Sequence, residues 1–442
     1  MSWPLVLTTV AGSLTGAVDI QVAGSLGSTA QAAVGLSEQI LFVLMVFVMS
    51  VSIGTTAVVS RSFGAGAVEE SVHATSQSLV LAIGLGIVLS VMTLLTAQFI
   101  LPCFTAPGGS GLAPSASAEM LRQGRLYLSI FGVFLVPFSI VTITNAAFRA
   151  IGDARTPMVV VAVSAAICIT GDILTVRCGW PVAGLGVRGI AFSAITGSTV
   201  ASIIVLWRLS CSPLKGALKQ LCPISWSMIK RIVRIGVPSA AQKLSYSAAV
   251  FVLFFILSHC PSPVQAIASW TIGIRVEGIL FMPLIALSMA VSSIVGQNLG
   301  ARQPLRAFQA GWNVTWIGVV MMVVFGTMLF FGAEPLARLM SHDPKAIEYT
   351  ASYLRINALA EPFLAFAMIL SGALQGAGDT RSPMWISIFC NWIIRLPILW
   401  LLALKLSLGP TGAWIAMTIS ITIMGLLVIW RYQSGEWLKV RV

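Results

Sequence analysis

An all-α integral membrane protein, with twelve transmembrane helices in two six-helix lobes related by pseudo-two-fold symmetry, is the fold that three observations predict. Charged residues make up 9% of the 442-residue chain and AVILMFWYC 57%, against roughly 25% charged residues in soluble domains. The apolar residues fall in long, nearly uncharged runs, and a bilayer about 30 Å thick needs roughly 20 such residues per helical span. The third observation is an internal repeat: Ala147 to Met158 reads AFRAIGDARTPM and Ala373 to Met384 reads ALQGAGDTRSPM. Inside a membrane every backbone polar group must bond internally, and runs of this length do so as helices, not barrel strands.

The spans fall in order at approximately 5–25, 36–59, 77–101, 126–148, 157–176, 187–207, 235–258, 271–295, 310–333, 351–375, 384–404 and 411–431. The longest polar interruption, 208–234, carries Arg208, Lys215, Lys219, Lys230, Arg231 and Arg234 and reads as a cytoplasmic linker between lobes at 1–215 and 216–442. The repeat has further anchors. Tyr127-Leu128 matches Tyr353-Leu354, Gly64-Ala65 matches Gly300-Ala301, and Gly186 to Gly189 matches Gly409 to Gly412. Six spans per half is an even number, so both copies enter the membrane from one side, with a cavity expected between them.

The net charge of +12 comes from 26 basic residues scattered between apolar spans, which argues against a nucleic-acid partner. With the N-terminus in the cytoplasm, 15 of them fall on that side and nine on the other, so the positive-inside rule places both termini in the cytoplasm and the protein in the cell membrane. Cys103, Cys168, Cys178, Cys211, Cys222, Cys260 and Cys390 are odd in number and lack metal-site pairing, so they are expected as free thiols. No basic n-region precedes the first span, so no cleavable signal peptide is expected.

Four features together resemble the multidrug and toxic compound extrusion family of cation-coupled antiporters. They are Val295 to Ala301 (VGQNLGA), Gly376 to Met384 (GAGDTRSPM), Arg395-Leu396-Pro397, and Pro4 with Asp19 in the first span. The resemblance runs over essentially the whole chain. It implies two lobes in a V, alternating access, and export of organic, often cationic, compounds against inward H+ or Na+ flow.

Asp19 is the sharpest candidate for coupling. An ionised carboxylate among Thr15, Gly16, Ala17, Val18, Ile20 and Val22 costs about 3 kcal/mol or more in hydrocarbon, so it must face a wet cavity or a partner. The family places its protonation or cation-binding aspartate at this point; the other reading is a structural carboxylate bonded to a neighbouring helix. Asp172 is the second acid, to be weighed against an interfacial aspartate near Arg177. The family often has asparagine one turn before it, where this chain has Cys168, and that departure weakens the case for a Na+ site at Asp19 and Asp172.

Glu361, Arg395 and Glu277 are candidates for the cavity and substrate. Glu361 precedes Pro362, which frees a carbonyl and kinks the helix. Glu277 follows Arg275 closely enough for a local ion pair. Arg395 lies deep in a span and needs an anion or carbonyl, with Glu361 as the candidate partner, whereas Lys243 can snorkel to an interface. One branch of the family has a carboxylate in span 7, around Tyr246 and Ser247, and this chain has none, which moves the expected coupling site to the N-terminal half. Asp153 and Asp379, in the repeated Gly-Asp-x-Arg turns, are expected to cap the helices that follow.

Gly184 to Gly189 satisfies G-x-G-x-x-G but has no preceding strand, and no G-x-x-x-x-G-K-[ST], H-E-x-x-H or G-x-S-x-G occurs. An intramembrane enzyme is therefore disfavoured. The expectation is a monomeric secondary antiporter that needs no cofactor beyond its coupling ion, H+ or Na+, and whose partners are small organic, cationic or amphiphilic substrates and membrane lipids. A flippase for lipid-linked precursors is the alternative transporter, but such cavities commonly carry several cations for phosphate, and only Arg395 and Lys243 are available.

Overall fold

A computed structural model describes residues 2–102, 114–177 and 186–440, and regular structure among these residues is entirely helical. Cys103, Cys178, Gly184 and Arg441 lie outside the described residues; Cys168, Cys211, Cys222, Cys260 and Cys390 are free thiols. Among the described residues eleven helices are each long and apolar enough to cross a membrane, and a pair of shorter helices meeting at a 58° bend, taken as one span, makes twelve.

Contacts divide the chain into two compact units, Trp3–Gly236 and Val237–Val442. The first holds α1 (Ser2–Ser25), α2 (Ser28–Gly64), α3 (Val68–Leu95), α4 (Pro114–Ala150), α5 (Arg155–Asp172), α6 (Val187–Ser210) and the start of α7 (Trp226–Leu257). The remainder of α7 opens the second. There follow α8 (Pro263–Gly300), α9 (Pro304–Met340), α10 (Pro344–Ala358), α11 (Glu361–Gly376), α12 (Arg381–Ile388), α13 (Leu396–Trp400) and α14 (Gly409–Gln433). Residues Phe389–Arg395 and Leu401–Lys405, on either side of α13, are π-helical, and so is Ile173–Arg177 after α5. Pro397 has no N–H to give the preceding turn, and a wider turn there accommodates it.

The seventh span starts nine residues earlier than its hydropathy predicts, because polar and apolar residues alternate there with helical period. Met228, Ile229, Ile232 and Ile235 are buried, Lys230 and Arg234 are exposed, and Arg231 pairs with Glu70 at 2.7 Å. The linker is tied to the first unit through α3. Ser76 donates to the Gln220 carbonyl at 2.6 Å, while Gln77 donates to the Pro223 carbonyl at 3.2 Å and accepts from the Ser225 N–H at 2.9 Å.

Lipid gives no hydrophobic drive between helices, so small residues that admit close backbone approach decide the packing. In the first unit a Cβ on Gly54 would strike the Ile232 carbonyl, and in the second a Cβ on Gly376 would strike the Ser292 carbonyl. The repeated turns cap the following helices. Asp153 accepts from the N–H groups of Arg155 at 2.9 Å and Thr156 at 3.0 Å, and Asp379 accepts from Ser382 N–H at 3.2 Å. Asp343 caps α10 in the same way and also accepts from the Gln265 amide at 3.1 Å. Gln265 and the cap N–H groups hold its carboxyl below the usual carboxylate range. That cap is fully present above the ordinary carboxylate pKa and is lost as pH falls through the lowered one.

Candidate functional site

In the first unit the acids of the first and fifth spans meet. α1 is lightly packed: among its described side chains only Pro4, Leu5, Val22 and Ala23 are buried. Four of its described hydroxyls bond back within the helix, Thr8 to Pro4 O, Thr9 to Val6 O, Thr15 to Ala11 O and Ser25 to Val22 O. Asp19 sits half-buried near its far end, with its carboxyl against that of Asp172. Asp172 ends α5, which reaches close to α6 because Gly171 leaves room for Ser193 and Gly197 leaves room for the Cys168 sulfur. Cys168 itself donates weakly to the Ser193 carbonyl at 3.6 Å.

Asp172 is 0% exposed, and neither of its oxygens has a hydrogen-bond partner. The Ser193 hydroxyl gives its proton to the Gly189 carbonyl at 2.9 Å instead. Two bare carboxylates in contact in a low dielectric would repel strongly and leave these oxygens unsatisfied. One proton held between Asp19 and Asp172 would remove a charge and supply the missing hydrogen bond.

Two neighbours of the pair are not among the site residues that the sequence suggests. Tyr127, 0% exposed on α4, has a hydroxyl with no hydrogen-bond partner, and the carboxyls of Glu38, Asp19 and Asp172 and the thiol of Cys168 all act on it electrostatically. Glu38 is half-buried on α2 and is acted on by Asp19. The sequence signal for Glu38 is a carboxylate just inside an apolar run that begins at 36. Tyr127 stands out in the sequence only as an anchor of the repeat.

The second unit brings Glu277 and Glu361 together. Gly273 leaves space for the ring of Tyr353, which lies across α8 one turn before Glu277 and donates its hydroxyl to Glu277 Oε2 at 2.8 Å. Trp414 packs edge-on against that ring at 4.8 Å. Glu361, 2% exposed, opens α11 just after the 58° bend and acts on both Glu277 and Tyr353. Glu361 Oε2 and Glu277 Oε1 have no partner. The bend packs against Gly326 of α9, where an added Cβ would meet the Ala358 carbonyl at 2.9 Å.

Two sequence expectations change here. Glu277 takes its bond from Tyr353, while Arg275 is exposed on another face of α8. Arg395, 5% exposed, donates to Ser420 Oγ at 2.8 Å and stands 5.9 Å from the Tyr246 ring centroid, so a hydroxyl and an aromatic face take the place of the carboxylate expected for it. The π turn ending at Arg395 aims it at α14. Among the described residues no group of three or more His, Cys, Asp or Glu side chains is arranged to hold a metal ion.

The model of the MatE family matches residues 4–174 and 238–401. A probable multidrug resistance protein NorM of Thermotoga maritima is 30% identical over 431 residues, spanning 96% of this chain and 89% of that protein. Among solved structures, an outward-facing multidrug resistance MATE family transporter of the MOP superfamily superposes with a TM-score of 0.90 at 20% identity, covering 100% of this chain and 96% of the other. A MOP superfamily transporter from Pyrococcus furiosus, described as having a binding pocket of reversed polarity, gives 0.89 at 20% identity, with 100% and 96% coverage. At that identity the two structures speak to the fold alone.

Proposed function

The chain belongs to the multidrug and toxic compound extrusion family of multi-pass membrane transporters, and we propose that it is a proton-coupled antiporter that exports organic, cationic or amphiphilic compounds, with Asp19 and Asp172 as the coupling pair. The observation that carries this reading is the sealed Asp172 carboxyl, without a donor and in contact with Asp19. A proton suits such a pair better than a sodium ion does. Sodium needs several hard oxygen ligands, and the position one turn before Asp172 offers the soft sulfur of Cys168 instead.

The cycle follows from charge. With a proton on the pair, α1 and α5 lie together without repulsion, and a cationic substrate finds no net attraction there beyond one carboxylate. When the proton leaves, the two carboxylates repel, and the lightly packed α1 is the element that yields at least cost. Coupling is then a competition in which proton and cationic substrate favour different positions of α1. Neither step makes or breaks a covalent bond in the substrate, and no cofactor is required. Both termini lie in the cytoplasm by the distribution of Lys and Arg, the protein resides in the cell membrane, and one chain carries the whole pathway.

The test is efflux of a fluorescent organic cation from cells or vesicles holding wild type or Asp19→Asn, with a pH gradient or a Na+ gradient imposed separately. Export by wild type under the pH gradient alone, and its loss in Asp19→Asn, is the expected result. Export driven only by Na+, or full proton-driven export by the variant, refutes the assignment.

A further inference from the structure

Building on the proton-coupled reading above, we propose that Glu38 is a relay carboxyl that passes the coupling proton between the Asp19–Asp172 pair and the interior of the first unit, through the hydroxyl of Tyr127. The starting point is access. Asp172 is sealed from solvent, so a proton reaching or leaving it must cross a neighbouring group. Besides Ser193 and Cys168, the groups near it that can pass a proton are Asp19 on α1, Tyr127 on α4 and Glu38 on α2.

The two half-buried carboxyls lie at different depths. Asp19 is six residues from the end of α1 at Ser25 and Glu38 is ten residues from the start of α2 at Ser28. At 1.5 Å per residue these are about 9 and about 15 Å from the α1–α2 turn, so Glu38 sits about 6 Å farther in. A transported proton must enter from one side of the membrane and leave toward the other. Asp19 near the turn and Glu38 deeper provide separate mouths to one sealed carboxyl.

Tyr127 connects them. Its hydroxyl is buried and unpartnered, and Glu38, Asp19 and Asp172 all act on it. A buried hydroxyl without a partner is costly, and it persists where a transient partner comes and goes. The internal repeat supplies an independent argument. Tyr353, the repeat counterpart of Tyr127, donates to Glu277 on α8. Aligning Gly64 with Gly300 sets α2 against α8, and Glu277 then corresponds to position 41, one helical turn from Glu38. Both halves thus carry a glutamate on the equivalent helix that acts on the equivalent tyrosine.

The step is balanced. The Asp172 O–H bond breaks as a bridging water carries that proton to the Tyr127 oxygen, and the tyrosine's own proton passes, again through a water, to bond to the Glu38 carboxylate. The tyrosine ends neutral, and one proton has moved from Asp172 to Glu38. The groups facing this route are Asp19 on α1, Tyr127 on α4, and Cys168 and Asp172 on α5. Glu69 and Glu70 of α3, and Arg231 of α7, which pairs with Glu70, lie at the opposite end of the helices.

Glu38→Gln in proteoliposomes tests this, with two readouts: net export driven by a pH gradient with the accompanying proton flux, and substrate-for-substrate exchange with no gradient. Exchange needs folding and substrate binding but no net proton transfer. The relay predicts a roughly 100-fold loss of proton-driven export and flux, exchange within a factor of about two of wild type, and substantial recovery in Glu38→Asp. Unchanged export and flux in Glu38→Gln overturn the relay. So does loss of exchange together with export, which would make Glu38 a structural or binding residue. Asp19→Asn run in parallel separates the two ideas, because proton-driven export that survives in Asp19→Asn defeats the coupling pair itself, whatever Glu38→Gln does.

Discussion

The two repeats each bury a tyrosine at the same place and do opposite things with it. Tyr353 gives its hydroxyl to Glu277 at 2.8 Å, while the hydroxyl of Tyr127 has no partner although the carboxyls of Glu38, Asp19 and Asp172 act on it. The acids also come from different helices. Glu361 has Leu135 as its repeat counterpart, and the first half builds its pair from α1 and α5 instead. The helix carrying the tyrosine differs as well: α4 runs unbroken through Pro137, whereas the second copy breaks between Ala358 and Glu361 before Pro362 and bends by 58°. The two copies share the scaffold and the tyrosine, and they differ in that one polar contact is closed and the other is left open. An open contact is the one that can change during a cycle.

The largest expected effect separates the two carboxyl sets. Asp172→Asn removes half of the proposed coupling pair and should reduce proton-driven export to the level of empty vesicles, while Glu361→Gln, in the set already joined to a tyrosine, should retain a clearly measurable rate. Efflux of a fluorescent cation under a fixed pH gradient decides it, and equal losses would dissolve the distinction. The same substitution at matched positions gives a sharper test in stability. Tyr353→Phe strips a bonded hydroxyl and leaves Glu277 Oε2 unsatisfied, at a cost of about 1–3 kcal/mol, whereas Tyr127→Phe removes a hydroxyl that has no bond to lose and should be nearly neutral or slightly stabilising. Thermal unfolding of the two purified variants reads the difference. If Tyr127→Phe is as damaging as Tyr353→Phe, the first tyrosine is bonded after all.

Much of the fold is legible in the sequence because its causes are local. A run of about twenty apolar residues makes a span wherever it occurs, and the AFRAIGDARTPM and ALQGAGDTRSPM segments declare the duplication without any alignment. Asp19 and Asp172 can be named singly, since a carboxylate in an apolar run always needs an explanation. Their contact cannot be, because 153 positions of chain separate them and only the close approach of α5 and α6 at Gly171 and Gly197 fixes where Asp172 lies. Arg395 finds a different partner from the expected one for a related reason: a π turn shifts the helix face, and the side chain lands on Ser420. The early start of α7 is hidden by its Lys and Arg residues, which lower hydropathy while keeping helical period.

The smallest effect expected concerns the repeated turns themselves. Asp153 and Asp379 cap their helices alike, and asparagine is about as good a cap as aspartate, so on capping alone both Asp→Asn changes would be near neutral. The copies differ in what else holds the carboxylate. Asp379 Oδ2 takes two bonds from Arg431, at 2.9 Å from Nη2 and 3.2 Å from Nε, and Arg431 also reaches Glu436 next to the buried Trp437. In the first copy Arg208, the counterpart of Arg431, stacks on Trp207 instead. Asp379→Asn therefore loses a partly buried ion pair that ties the turn to the end of α14. Glu436 still holds the arginine, which limits the cost to about 1 kcal/mol. Asp153→Asn should stay within about 0.5 kcal/mol of wild type. Thermal midpoints of the two variants, measured side by side in the same detergent, would show the gap, and a gap that survives in Arg431→Gln would trace it to something other than this ion pair.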